Sequence, residues 1–394
     1  MKKPVALAAL ALVGIGLYHC RRLLLARFLK LPPPRYAVAV ERKIPVPMPD
    51  GVRLFADHYF PKFSGRDGIA FPTILIRTPY GRGKEVSLGN GYPLAELPAQ
   101  RFAERGYHVV VQGARGCFDS EGSFRPHVNE AADGEATVAW ISCQPWFNGM
   151  LGTWGPSYLG YTQWATAASS PGALKAMLVM VASAENHSVT HPDGAFGLET
   201  RLRWSQGVHS QNLLNRRPLW EKLVHRFSGK EERRLDAAFD HLPLLEADTV
   251  AAGEALPSYR DLLTHPEPDD AFWAARDHRQ AVAGIGAPVH LVGGWYDYYL
   301  RGRHFINRFH KMELDFACQM FGHAIEIDPE FAPAWAGSAD CYSLLVIYHD
   351  PQEHYREKAR EASQKALELA PDLAEAHASR GLALLVSDEF EACE

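Results

Sequence analysis

Gly155-Pro-Ser157 stands between a short apolar run, Met150 to Trp154, and an alanine-rich run, Tyr161 to Ser169. A serine hydroxyl is a poor nucleophile until it is exposed and a base takes its proton. Pattern and composition predict a buried strand over 150–154 and a helix from 161, with Gly155-Pro-Ser157 as the tight turn between them. A serine on such a corner has its hydroxyl lifted into the open. The next backbone N–H can then face a developing oxyanion. Gly155 and Gly160 remove side chains where strand and helix must pass closely. The strict spacing for this corner would put glycine at 159, but Leu159 stands there and Gly160 follows. A bare Gly-x-Ser is also a turn in any α/β protein, so the surroundings must decide. A second chemical candidate is Asp297, which closes the run Pro288-Val-His-Leu-Val-Gly-Gly-Trp-Tyr-Asp297. An acid at the C-terminal edge of a strand lies where open α/β sheets collect catalytic groups.

These residues need a sheet to position them. Lys43-Ile-Pro-Val46, a turn at Pro49-Asp-Gly51, and Val52 to Tyr59 read as a β-hairpin. Pro72 to Arg77, Tyr107 to Val111 and Leu178 to Ala182 read as buried strands, and 94–105 and 129–142 as helices. Strands alternating with helices predict a parallel sheet covered on both faces. From 184 to 281 the pattern turns helical and charged, with helices expected around 208–228, 229–239 and 270–283. That stretch reads as a helical cap inserted into the sheet domain, which occupies 41–183 and 282–311.

The chain has 394 residues, 47% apolar, with a net charge of −5, a balance that offers nothing to nucleic acid. Its six cysteines show no C-x-x-C spacing, so neither a zinc site nor a disulfide framework is expected. At the N-terminus Lys2 and Lys3 precede an uncharged, mostly apolar run of 15 residues, Pro4 to Tyr18, and Arg21, Arg22, Arg27 and Lys30 follow. Residues 1–30 therefore read as an uncleaved membrane anchor or a cleaved export signal, ahead of a Pro-rich linker at 31–40. Charge flanks both ends, so orientation is open.

Residues 40 to about 309 resemble the cocaine-esterase and X-prolyl dipeptidyl aminopeptidase group of α/β-hydrolases. The resemblance is carried by Met48-Pro-Asp-Gly-Val52, Arg77-Thr-Pro-Tyr80, Arg115-Gly116 with Ser120-Glu-Gly122, and Gln144-Pro-Trp146 with Asn148-Gly149. Gly155-Pro-Ser-Tyr-Leu-Gly160 is that group's own form of the serine corner. His265-Pro with Asp270 and Trp273, and Gly294-Trp-Tyr-Asp297, complete the set. The resemblance implies an α/β-hydrolase fold with Ser157 as nucleophile and Asp297 as the acid that orients a histidine. It further implies an oxyanion hole from the Tyr158 backbone N–H and the Tyr80 hydroxyl. A phenol suits that role because it donates one strong hydrogen bond without carrying charge. The expected substrate is a small ester or a short, X-prolyl peptide, and no metal or organic cofactor is implied.

The group also carries a catalytic histidine after the last core strand and a β-rich jelly-roll domain. Neither is evident in this sequence. Instead Ala324 to Trp335 and Ala366 to His377 are two copies of one pattern, with Pro329 and Pro371 lying 42 residues apart. A helix–turn–helix repeat of about 34 residues with a short insertion near Ile347 to Gln352 fits that spacing. Residues 312–394 therefore resemble tetratricopeptide repeats, all-α pairs that would offer a surface to a protein partner. His323 lies 26 residues after Asp297 and is the candidate base, although it also suits a solvated helix surface. His304 and His310 fall on the helix leaving Asp297. Loss of a triad histidine costs about 10⁶ in kcat, roughly 8 kcal/mol of barrier. The first expectation is thus a serine hydrolase, impaired if no histidine completes it. The alternative is an inactive hydrolase scaffold joined to a protein-binding repeat module.

Overall fold

The computed structural model describes residues 22–62, 70–83, 95–170, 172–215, 217–306 and 310–387. The apolar run expected as an anchor or signal, up to residue 21, lies outside them. Among the described residues no helix is long and apolar enough to cross a membrane. The chain forms two compact units, one up to Leu291 and one from Val292 onward.

The first unit is built on a hairpin and a parallel sheet. Strands β1 (Ala37–Pro47) and β2 (Arg53–Lys62) pair antiparallel, Val46 opposite Leu54 and Pro47 opposite Arg53. The turn is closed by Gly51, at φ +85°, where glycine alone is unstrained. β3 (Thr73–Thr78) is buried along its whole length, as a strand covered on both faces must be. β4 (His108–Gly113), β5 (Leu151–Pro156), β6 (Leu174–Met180) and β7 (Val289–Val292) complete a sheet of order β1-β2-β4-β3-β5-β6-β7. β3 pairs parallel with β4 and β5, and β5 with β6, but β2 meets β4 antiparallel, so the sheet is mixed.

Period-two alternation divides the core in two. Ile74, Ile76, Val109 and Val111 face α1 (Glu96–Ala103) through Ala99 and Ala103. Leu75 and Val110 face the other way, toward Val138 and Ile141 of α2 (Glu130–Ser142) and Trp164 of α3 (Tyr158–Ser169). The chain leaves β4 on one side of β3 and returns as β5 on the other. The C-terminal ends of β3 and β5 therefore border the crevice where an open sheet binds ligands.

Between β6 and β7 lies the cap: α4 (His187–Thr190), α5 (Leu198–Asn215), α6 (Leu219–Phe227), α7 (Lys230–Phe239), α8 (Ala247–Ala252), α9 (Pro257–Leu263) and α10 (Arg279–Val282). It has its own small core of Leu202, Leu235, Ala238, Ala251, Leu256 and Tyr259. The helix expected over 208–228 is two helices that meet at Pro218, and the first begins ten residues earlier, at Leu198.

The second unit is helical: α11 (Trp295–Ile306), α12 (Lys311–Ile327), α13 (Ala332–Tyr348), α14 (Glu353–Leu369) and α15 (Ala374–Val386). Phe321 is fully buried, and side chains added at Gly302 and Gly337 would stand 2.7 and 2.5 Å from its ring. Two hairpins, α12–α13 and α14–α15, share one turn design. Pro329 and Pro371 each precede the second helix, and their carbonyls meet Trp335 Nε1 at 3.0 Å and His377 Nε2 at 2.6 Å, six residues on in both cases. The strand expected to run to Asp297 ends at Val292, because Gly293-Gly294 breaks it, and Asp297 falls in the first turn of α11.

Candidate active site

Ser157 is the single residue between β5 and α3. Its backbone sits at φ +53°, ψ −123°, a conformation that costs a residue with a β-carbon about 1–3 kcal/mol. Ser157 N–H donates to Met180 O at 2.9 Å, and Ser157 O accepts from Gly160 N at 2.8 Å and Tyr161 N at 2.9 Å, which holds the strain in place. The side chain is exposed. Gly155 is obligatory, since a β-carbon there would lie 2.4 Å from Leu159 Cβ. The glycine expected at 159 is needed instead at 160, where a β-carbon would meet Ala182 Cβ at 2.5 Å. Leu159 meanwhile fills the core beside Ile74 and Ile76.

Tyr80 follows β3 by two residues, so the crevice at the strand ends brings it to Ser157. Its hydroxyl interacts with the Ser157 side chain and accepts from Trp204 Nε1 of α5 at 3.0 Å. Burial raises its pKa, against the pull of Trp204 and Ser157, so the phenol keeps its proton at neutral pH. Tyr158 is the first residue of α3, and its N–H has no intrahelical acceptor. The Ser157, Tyr80 and Tyr158 positions are thus brought together.

The Tyr158 side chain does something different. It is buried, and its hydroxyl donates to Glu130 Oε1 at 2.7 Å while accepting from His127 N at 3.1 Å. Glu130 is paired with Arg77 Nη2 at 2.9 Å, and Arg77 also donates to Gln112 Oε1 at 3.0 Å. This network is a floor under the corner. Phe124, His127 and Trp204 stand against the Tyr158 ring, Trp204 at 5.9 Å and nearly parallel. His127, which sequence reasoning passed over, is fully enclosed and hydrogen-bonds Asn186 at 3.0 Å. Burial first, then Arg201, Arg276 and His278, push its pKa well down, so it is neutral.

Among the described residues no imidazole is hydrogen-bonded to Ser157. Asp297 and His304 lie on α11 in the second unit, and their side chains are outside the described residues. His310 is exposed at the start of α12. His323 is exposed on α12, its Nδ1 3.2 Å from Glu326 Oε2.

A strained, exposed serine at the end of β5, with a tyrosine hydroxyl against it, is the strand-to-helix corner of an α/β-hydrolase-like fold. Residues 50–321 match the X-Pro dipeptidyl-peptidase family, S15, and the chain belongs to it. It is similar to the cocaine esterase of Rhodococcus sp. (strain MB1 Bresler), 33% identical over 262 residues, 66% of this chain and 44% of that protein. Its fold is like that of an aminopeptidase from a marine sediment Thaumarchaeota archaeon, with TM-score 0.50 and 23% identity over 66% of this chain and 43% of the other. The chain spans less than half the length of either relative.

Proposed function

We propose that this chain is a serine hydrolase that cleaves an ester, or the amide of a short peptide, through an acyl-enzyme on Ser157. The observation that carries the reading is the exposed, strained Ser157 with the Tyr80 hydroxyl against it. Ser157 Oγ adds to the carbonyl carbon, and its proton passes to a base. The new oxyanion takes hydrogen bonds from the Tyr80 hydroxyl and the Tyr158 N–H. The leaving group departs with a proton, and water then adds to the acyl carbon and frees Ser157. In this reading the base is a histidine oriented by Asp297, with His323 as the candidate. The cap supplies the walls of the substrate pocket. The test is turnover of p-nitrophenyl butyrate by the full chain beside Ser157→Ala. Catalysis in the wild type and a fall of at least about 10³-fold in the variant support the reading. Equal, near-background rates reject it.

A second reading, an inactive scaffold with a tetratricopeptide-like interaction module, is favoured by His323 pairing with Glu326 on its own helix and by the repeated Pro329 and Pro371 turns. The same assay separates the two. We also assign residues 1–30 to membrane attachment or export. Exposed Leu23, Leu24 and Phe28, next to the apolar N-terminal run, support this, and carbonate extraction of membranes from expressing cells tests it.

A further inference from the structure

The cap helix α5 turns one face toward Tyr80 and Tyr158, the neighbours of Ser157. Arg201, Trp204, Ser205 and Val208 recur at the three- and four-residue spacing of that face, and Arg201, Ser205 and Val208 are buried. Trp204 reaches Tyr80, which touches Ser157. Arg201, one turn earlier, is 7% exposed, yet among the described residues its one hydrogen bond is Nη2 to the Val189 carbonyl at 2.5 Å. Among the described residues its Nε has no partner and no carboxylate is paired with it. The guanidinium acts electrostatically on Tyr80, His127 and His191, so it lies in the neighbourhood of the hydroxyl that touches Ser157. Two neighbours are equally unsatisfied. Ser205 Oγ is buried without a partner, and so are both ring nitrogens of His191, a residue 3% exposed. Buried charges are ordinarily paired, because an uncompensated one costs several kcal/mol. Buried polar side chains left without partners, one of them a guanidinium one helical turn from the Trp204 that reaches Tyr80, would be satisfied by a ligand with acceptor oxygens and negative charge.

We propose that Arg201, with Ser205 and His191, is the anion-recognition site of this hydrolase and holds a substrate carboxylate while Ser157 attacks the ester or amide. The inference rests on the hydrolase reading and deepens it: the preferred substrates are carboxylate-bearing acyl or leaving groups. Burial pulls the Arg201 pKa down to about 10, which leaves it charged at neutral pH.

The test compares kcat/KM for three esters with the full chain: mono-p-nitrophenyl glutarate, p-nitrophenyl butyrate and 4-butyryloxybenzoate. The first carries its carboxylate on the acyl side, the last on the leaving group. The expected result is that one of the two anionic esters is preferred over its neutral counterpart, and that Arg201→Met lowers that ratio about 100-fold, the scale of a charge-assisted pair. Calorimetric binding of glutarate is measured in parallel. Binding retained in Ser157→Ala and lost in Arg201→Met supports the site even if no ester turns over, in which case the hydrolase reading fails alone. No anionic preference in the wild type, or a ratio and glutarate affinity unchanged in Arg201→Met, overturns the proposal. Should Arg201→Met not fold, glutarate against neutral glutaramide as ligands of the wild type decides. Equal binding of the two then overturns it.

Discussion

Two buried arginines act on the tyrosines that adjoin Ser157, Arg77 on Tyr158 through Glu130 and Arg201 on Tyr80, and the chain treats them in opposite ways. Arg77, in the floor, is paired with Glu130, donates to the Glu130 carbonyl at 2.6 Å and to Gln112 at 3.0 Å, and Glu130 in turn receives the Tyr158 hydroxyl. Arg201, in the cap above, holds one carbonyl and leaves its Nε unpaired. A low-dielectric interior makes a satisfied network rigid and an unsatisfied group expensive. The floor is therefore structure, its charges paired within the chain. The roof is unfinished, and a substrate carboxylate would finish it.

The largest expected effect follows from that contrast. Glu130→Ala strands Arg77 in the core and should cost about 3–5 kcal/mol in urea unfolding. Arg201→Met removes a buried charge that had no counter-ion, so its unfolding free energy should hold or rise. Equal losses in the two variants would mean that Arg201 is held by the chain as fully as Arg77. Next comes the pair of tyrosines that floor and roof share. Tyr80→Phe should lower kcat about 10²–10³-fold, the loss expected for one oxyanion donor, with little change in stability. Tyr158→Phe should do the reverse, keeping its N–H but losing about 1–3 kcal/mol with the Glu130 bond. If Tyr80→Phe leaves kcat unchanged, its hydroxyl is not an oxyanion donor.

What was legible in the sequence was local. The serine corner follows from glycines two residues before and three after Ser157, because a close strand–helix pass is written in consecutive residues. The Asp50-Gly51 turn and the strand at Thr73–Thr78 were legible for the same reason. Tyr80 was reached only through resemblance, since its place depends on β3 and β5 being neighbours. The floor could not be read at all. Arg77 and Glu130 are 53 residues apart, and Glu130 looks like any acid at the start of an amphipathic helix. Arg-Leu-Arg at 201–203 gives no local sign that the first arginine is buried and the second half-exposed. The run to Asp297 was overextended because its β-forming residues outweighed Gly293-Gly294, which end the strand.

The smallest expected effect is an acid response that belongs to the roof. His191 packs against Phe196 and Trp273. Burial first, then His187 and Arg201, pull its pKa from 6.5 down to about 4. The folded state thus favours the neutral ring. Stability from this residue is complete above pH 6.5, where the unfolded chain also keeps it neutral, and is lost as pH falls toward 4 because only the unfolded chain then takes the proton. The floor adds no such slope through Tyr158, whose phenol is held far above neutrality by burial and by Glu130. Other buried histidines, His58 among them, share the acid slope of the wild type, so the difference between two proteins is the informative quantity. His191→Phe keeps an aromatic ring edge-on to Trp273 and removes the titration. Between pH 7 and 5 it should lose about 1–2 kcal/mol less than the wild type in urea unfolding. Bound glutarate should narrow that gap, because a carboxylate beside Arg201 favours the protonated ring. Identical slopes for the two proteins would mean that His191 does not face the unpaired charge of the cap.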